Sequence, residues 1–598
     1  MTLIDHIFRG YYSLKFFPFR KERLANRAAG EKHGFVGIQI DGLSYPHLQQ
    51  ALSRGYLRHI ARHLKRGALL SEYQAGLPST TPAAQAAILF GQNSGIPAFR
   101  WFERKSGQVI SCNDPDHVQH FREEMFGRRQ GLLTGGSSYS NILDGDAARS
   151  IFTVSSPHPQ TLFGRFGGLR ILLLMLLHPL RVLRMGAATV LEYLTELVDR
   201  WHFRKTRPWR VSEGLFPFIR IFCNVILREL QTFGVIADIY AGVPSIYTTY
   251  TGYDELAHHF GPGSRPALKN LKYTDKRIGE IMRMLRHAPG AHYELILLSD
   301  HGQTPGYPFQ DRFGVTLGEA ISGFLRESKP ATISSHPQEH SRVQLGYLKE
   351  ELDARPQRWR HRLLRRLKRR IQDKIRELVP ETIKVDTEGG VVITYSSSLA
   401  HLYIAGCRRL SWQQVQQTQP LLLRYLKNHP GIGFILARGK TDEICFFHRG
   451  GSVCVGPGSP PPPEQFAFLE PYGHPPDLLS HLLRFAADES CGDLILFGAY
   501  DGDRIVCFDN QVGGHGSVGG EQLRPFLILP AAHPLAGESH LAGYEFLYRD
   551  IFLPYRNGPS PADDEEPADR DTTDRAPRSA ATEEERSPAE AGSAGTPP

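Results

Sequence analysis

At 598 residues, with 41% hydrophobic and 22% charged side chains, the chain can bury two or more cores and reads as a soluble globular protein. Its formal charge of +8 is uneven: from Asn557 onward 11 acidic side chains meet 4 basic ones, so that stretch carries −7 and the preceding body +15. Seven cysteines, with no CxxC pair, offer no disulfide framework and suit a reducing compartment.

Residues 1–33 form an arm that mixes Phe8, Tyr11, Tyr12, Phe16, Phe17 and Phe19 with Arg9, Lys15, Arg20 and Lys21. It lacks a continuous apolar run, so an ordinary export signal is not expected. A core is expected over 34–325, opening with a strand at 35–40 that ends at Asp41-Gly42. Asp-Gly is ordinarily a turn. Next comes Pro78-Ser79-Thr80-Thr81-Pro82, ahead of a helix beginning with Pro82-Ala83-Ala84. Thr81 there has two readings: a plain N-cap, or a hydroxyl beside the positive end of a helix, where a phosphoryl group is favoured. A nearby metal would let that hydroxyl act as a nucleophile.

Residues 155–231, dense in Arg, Leu, Phe and Trp, read as helices added to the core. Within them 171–180 is apolar but has only ten residues, too short to cross a bilayer, which takes roughly 17 to 25. A second strand at 243–250 leads to Asp254, with His258 four residues on. On a helix that spacing brings both to one ion, although such pairs are commonly solvated. A third strand at 295–298 ends at Ser299-Asp300-His301-Gly302, where a turn just past the strand would let Asp300 and His301 both face inward. Apolar runs separated by helical stretches predict an α/β fold with a mostly parallel sheet flanked by helices. Ligands gather at the carboxyl ends of such strands.

Residues 326–493 read as a second insertion: a linker at 328–341, a basic helix, then a small α+β cap. The helix carries 11 Arg or Lys between Arg355 and Arg376, with Trp359, Leu363, Leu367, Ile371, Ile375 and Leu378 as its apolar stripe. Packed on the cap, it is a solvated face; otherwise it suits an anionic membrane surface. The core is expected to resume over 494–556, with a strand at 494–497 and His515 soon after. Residues 557–598 are expected to be disordered.

The motif Asp254-x-x-x-His258-His259-Phe260-Gly261-Pro262, read with Ser299-Asp300-His301-Gly302 and His515-Gly516, resembles the alkaline phosphatase superfamily. Its type I phosphodiesterase / nucleotide pyrophosphatase branch is the nearest in pattern. The resemblance covers about 34–318 and 492–530. It implies two divalent metal sites, for Zn²⁺ or Mn²⁺: one of Asp41, Asp300, His301 and the Thr81 oxygen, the other of Asp254, His258 and His515. It also implies a phosphothreonine formed on Thr81, and hence a hydrolase of phosphodiesters or phosphomonoesters. Where many relatives offer an Asn to the phosphoryl group, this chain has Asn93-Ser94-Gly95-Ile96-Pro97-Ala98-Phe99-Arg100, leaving Asn93 or Arg100 as substitutes. No cysteine lies in the Cys-x-Pro-x-Arg segment of the sulfatase branch. A phosphomutase or headgroup transferase, and an inactive membrane-associated scaffold, remain the rival readings. The expected partners are a phosphate-ester substrate and an anionic membrane surface, without a nucleic-acid module. The expected setting is cytoplasmic, with peripheral attachment.

Overall fold

The computed structural model describes residues 10, 16–20, 23–24, 33–155, 179–206, 216–287, 292–325, 331–333, 390–404, 406, 408–456, 463–538 and 540–555. The basic helix expected between Arg355 and Arg376 and the acidic tail lie outside them. Every element below belongs to one compact unit, Met1–Asn557.

A seven-stranded sheet organises this unit. Its strands are β1 (His33–Ile40), β2 (Leu69–Glu72), β3 (Ser137–Tyr139), β4 (Arg149–Ile151), β5 (Ser245–Tyr250), β6 (His292–Leu298) and β7 (Phe526–Leu529). Their spatial order is β2-β7-β6-β1-β5-β3-β4. β1 pairs in parallel with both β5 and β6, and β3 in parallel with β4 and β5. Only β7 runs the other way, antiparallel to β6 and β2.

Both faces of this sheet are buried, which is why its central strands read as near-continuous apolar runs. From β1, Val36, Ile38 and Ile40 pack with the helices Arg228–Ala241 and Arg265–His287. On the opposite face Phe35 joins the core that contains the helix Thr81–Phe90. That helix is also held by polar contacts: Gln85 donates to Gln39, Asn141 and Thr249 and accepts from the backbone of Ile142, all buried. A buried network of this kind fixes where the helix starts, and so where Thr81 sits. The insertion read over 155–231 is helical over Pro179–Thr206, Phe216–Ile221 and Phe222–Leu227, and it runs on into the helix Arg228–Ala241.

A second seven-stranded sheet includes Val391–Ser396, Leu399–Ile404, Ile432–Arg438, Ile444–His448 and Gly451–Val455. The strand Leu494–Gly498 lies within it, antiparallel to Leu399–Ile404 and Ile432–Arg438. The segment expected to resume the parallel core at 494–497 therefore completes the insertion's sheet. The chain returns to the first sheet only at β7. An apolar run shows that a strand is buried but not which sheet accepts it. The cysteine reading also needs correction. Cys445 and Cys454 face each other across the hairpin Ile444–His448/Gly451–Val455 and form a disulfide. Strand register brings them together, and spacing alone does not reveal it.

His401 joins this sheet to the loop after the Thr81 helix. Its Nε2 donates to the Pro97 carbonyl (3.1 Å) and its Nδ1 accepts the Gly492 N–H (3.1 Å). Burial depresses its pKa to about 3, against the proton-favouring bond to Pro97. The unfolded chain therefore binds the proton that the folded chain refuses. Stability is full above about pH 6.5 and falls as the pH drops toward 3. His401→Gln should reduce the loss of unfolding free energy between about pH 7 and pH 5 by roughly 2 kcal/mol, measured by denaturant titration at both values.

Candidate active site

Three carboxylates stand at the carboxyl ends of three adjacent parallel strands. Asp41 follows β1, Asp254 lies in the helix Gly252–Phe260 just after β5, and Asp300 follows β6. This is where an open sheet of this kind places its ligands. All three side chains are buried.

Local chemistry explains how each is aimed. Past β6 the Ser299 hydroxyl donates to the His301 carbonyl (2.7 Å), a short turn that lets consecutive side chains face one way. Asp300 Oδ2 and His301 Nε2 are 3.3 Å apart as a result. A Cβ on Gly302 would meet the Glu521 carbonyl at 1.9 Å, so no larger residue fits behind the turn. On Gly252–Phe260 the four-residue spacing brings Asp254 Oδ2 to 3.2 Å from His258 Nε2, in a buried rather than a solvated pair.

His515 arrives from 436 residues beyond Ser79 because two loops zip together. The Gly516 N–H donates to both the carbonyl and the hydroxyl of Ser79, each at 3.0 Å, and the Ser79 hydroxyl donates to the Ser517 carbonyl (2.9 Å). The turn Ser397-Ser398 of the second sheet closes the other side. Ser397 Oγ accepts the His515 N–H (3.3 Å), and Ser398 Oγ donates to the His515 carbonyl (3.0 Å). These serines were not singled out from sequence; a Ser-Ser-Ser turn in a cap gives no sign that it touches a distant histidine.

Thr81 is the first residue of its helix, and Thr80, not Thr81, is the N-cap. The plain capping role is thus filled by its neighbour's position. Thr81 Oγ1 turns instead toward the cluster, donating to Asp41 Oδ1 (3.1 Å) and lying 3.2 Å from His301 Nε2.

The three histidines share one arrangement. Nδ1 of His258, His301 and His515 lies 2.8, 3.0 and 2.9 Å from the carbonyls of Gly513, Gly302 and Ser79. Each therefore donates from Nδ1 and presents the Nε2 lone pair inward, the orientation of a metal-bound imidazole with its outer partner. His258 Nε2 and His515 Nε2 approach to 3.1 Å. Facing lone pairs at that distance need a cation near them: a metal ion in a loaded site or, without one, the proton that His258 holds. On the carboxylate side, Asp41 Oδ2 and Asp300 Oδ2 are buried and accept no hydrogen bond from the described residues. Ligand atoms of Asp41, Asp300 and His301 fall within 4.8 Å of one another, as do those of Asp254, His301 and His515. Buried donors of this oxygen and nitrogen composition fit divalent metals.

Electrostatics point the same way. Burial, then the charges of Asp300 and Asp254, push the Asp41 carboxyl well above its usual range. Burial would raise Asp254 too, but the adjacent His258 holds it far below the carboxylate range. Burial opposes the charged form of His258, yet Asp254 lifts its pKa to about 9. Burial and the charges of His301 and His258 push His515 well down. The protons divide what cations would otherwise neutralise.

One residue at the site was not anticipated. Gln303 Nε2 donates to Asp254 Oδ1 and to the Asp254 carbonyl, fixing that carboxylate from outside. The two expected phosphoryl-binding residues are engaged elsewhere. Asn93 Nδ2 donates to the Leu77 carbonyl (3.1 Å) and Arg100 Nε to the Ser111 hydroxyl (3.0 Å), neither of which belongs to the cluster.

Gly42 has φ +67°, and a Cβ there would fall 2.2 Å from Asp254 Oδ1. Gly42→Ala should cost about 2 kcal/mol or more through backbone strain and displace the Asp254 carboxylate. Melting temperature and divalent-ion affinity should fall together.

The fold and this cluster define the class: an α/β protein whose parallel strands deliver an acidic and histidine-rich pocket with a hydroxyl at a helix start. Residues 203–400 match the family described as Type I phosphodiesterase / nucleotide pyrophosphatase, so the resemblance read from the motifs holds at the level of the family. The match supports a hydrolase of phosphoric esters. No curated protein matches the chain in sequence. Among solved structures, phosphonoacetate hydrolase from Sinorhizobium meliloti with phosphonoformate is 14% identical, with a TM-score of 0.42, 88% of this chain covered and 96% of that one. Murine ectonucleotide pyrophosphatase / phosphodiesterase 5 with AMP is 12% identical, with a TM-score of 0.42 and the same two coverages. Among the described residues, no helix is long and apolar enough to cross a membrane.

Proposed function

We propose that the chain hydrolyses phosphoric esters by transfer of the phosphoryl group to Thr81 and then to water. The observation that carries this reading is the convergence of Thr81 Oγ1 on Asp41 and His301 inside a pocket of three carboxylates and three inward Nε2 atoms.

Asp41, Asp300, His301 and the Thr81 oxygen would hold one ion, and Asp254, His258 and His515 the other, with Zn²⁺ or Mn²⁺ suited to both. His301 is near enough to both groups to stand between them. Such ions supply positive charge for the phosphoryl and leaving oxygens and lower the pKa of the nucleophile. The chain's own residues do the positioning. Asp41 and His301 orient the Thr81 oxygen, and the start of the helix Thr81–Phe90 directs its positive end at the incoming phosphoryl group. Thr81 Oγ1 forms a bond to phosphorus while the bond from phosphorus to the leaving oxygen breaks. Water then takes the phosphoryl group from Oγ1 and restores the hydroxyl. The gain comes from placement and charge rather than from strong acid–base chemistry.

Nitrophenyl phosphodiester, phosphomonoester and sulfate, offered with added Zn²⁺ or Mn²⁺, test the reading. Turnover of a phosphate ester and none of the sulfate is expected; a preference for the sulfate would overturn it. A phosphoryl group borne on a lipid is the natural form of substrate that the basic insertions favour.

A further inference from the structure

The helix Pro179–Thr206 is mounted inside out. Its acids face the body of the protein: Glu192, Glu196 and Asp199 all accept from Arg220, at 2.7, 2.5 and 2.9 Å. Near its start Arg181 pairs with Glu229 (2.8 Å) and Glu280 (3.2 Å). Near its end Phe203 packs against Phe260, the residue that closes the helix bearing Asp254 and His258. Ion pairs and the contacts of Phe203 with Phe260 and His259 thus fix the helix along the flank of the fold. Its apolar stripe is left outward. Leu180, Leu183, Val190, Leu191, Leu194, Val198 and Trp201 are between 52% and 78% exposed; Leu180 and Leu183 are three apart, and Val190, Leu194, Val198 and Trp201 follow one another at four, four and three, so they share one face.

A surface helix normally buries that stripe, and an exposed apolar face of this length marks a contact surface. Charge identifies the occupant. With the acids turned inward, the exposed ionic side chains of this helix are Arg184, Arg204 and Lys205, all cationic. Lys205 lies over the Trp201 ring, 3.7 Å from its centre. Beyond Glu280, on the helix Arg265–His287, Arg283 and Arg286 line a cleft with Arg62 and Arg66, where Glu294 is the acid present. Burial and the charges of Arg66, Arg283 and Arg62 push the Arg286 guanidinium down, the mark of crowded cations. The sequence on either side of the helix repeats the pattern, with Ile171-Leu172-Leu173-Leu174 before it and Arg207-Pro208-Trp209-Arg210 after it.

We propose that this flank docks on an anionic lipid surface, the stripe of Pro179–Thr206 entering the acyl boundary and the arginine cleft meeting acidic headgroups. An apolar stripe and a cationic patch are the two signals that stable peripheral attachment needs. Because Phe203 reaches the helix of Asp254 and His258, docking brings the candidate active site close to the bilayer. Only that last link rests on the proposed phosphoesterase activity; the attachment does not.

Flotation of the full chain with vesicles of phosphatidylcholine, with and without phosphatidylglycerol, tests docking without any turnover. Binding that requires phosphatidylglycerol and weakens with salt is expected. Leu191→Glu with Leu194→Glu should lower partition by about a hundredfold, since each leucine loses its burial. Arg283→Ala with Arg286→Ala should lower it by roughly tenfold or more. Both variants should melt as the parent does and should hydrolyse a soluble ester at the parent rate. Brominated lipid should quench the part of the emission that Trp201→Phe removes. Unchanged flotation of the double-glutamate variant would overturn the proposal. So would a lipid-free dimer that the same variant dissolves, since the stripe would then be a face between copies. Failure of every ester assay with flotation intact would instead remove the hydrolase reading and leave the docking.

Discussion

Thr81→Ala should lower turnover of a nitrophenyl phosphodiester by at least about a thousandfold while leaving metal content unchanged. The split follows from the geometry. Six carboxylate and imidazole side chains meet without help from the hydroxyl, whereas only Thr81 Oγ1 sits at the helix start with Asp41 Oδ1 at 3.1 Å. Thr81→Ser should retain part of the activity, because the oxygen survives and only the methyl that restricts its rotamer is lost. Thr80 offers a clean control. It is buried one residue earlier and its hydroxyl has no hydrogen-bond partner among the described residues, so Thr80→Ala should leave turnover within a few-fold of the parent. Rapid acid quenching during turnover should add one phosphoryl mass to the peptide containing Thr81. Full activity in Thr81→Ala would assign the attack to water and remove the covalent step.

The sequence disclosed the parts of this site that depend on local chemistry, and those parts share a cause. Asp41, Asp254 and Asp300 each follow an apolar run that becomes a parallel strand, so strand polarity alone sends them to one edge of the sheet. His258 is legible because a helix fixes its offset from Asp254, and His301 because the turn after β6 is compact. What stayed hidden depends on register between distant segments. Ser397 and Ser398 reach His515 only through a hairpin of the second sheet, and the strand 494–498 joins that sheet because its partners lie there. Cys445 and Cys454 meet through the same kind of pairing. Gln303 was passed over because an amide next to Asp-His-Gly looks like any loop residue until the carboxylate it bonds is located.

Asp41→Asn should change sign with metal, stabilising the stripped protein and destabilising the loaded one. Without cations, Asp41 is buried beside the charges of Asp300 and Asp254, which repel it. An amide of the same shape removes that repulsion and still lets Oδ1 accept the Thr81 hydroxyl. With cations, the same change deletes an anionic ligand from the group Asp41, Asp300 and His301. Ligand binding to the native state adds about 2.7 kcal/mol at a hundredfold excess over the dissociation constant, and a weakened site forfeits much of this. The expected result is a chelated variant that melts above the chelated parent, and a Zn²⁺-loaded variant that melts below the loaded parent. Metal content should drop from about two ions per chain toward one. A purely structural carboxylate would shift both melting points the same way. The crossing of the two curves is therefore the signature of a cluster whose charges are arranged for ions rather than for the fold.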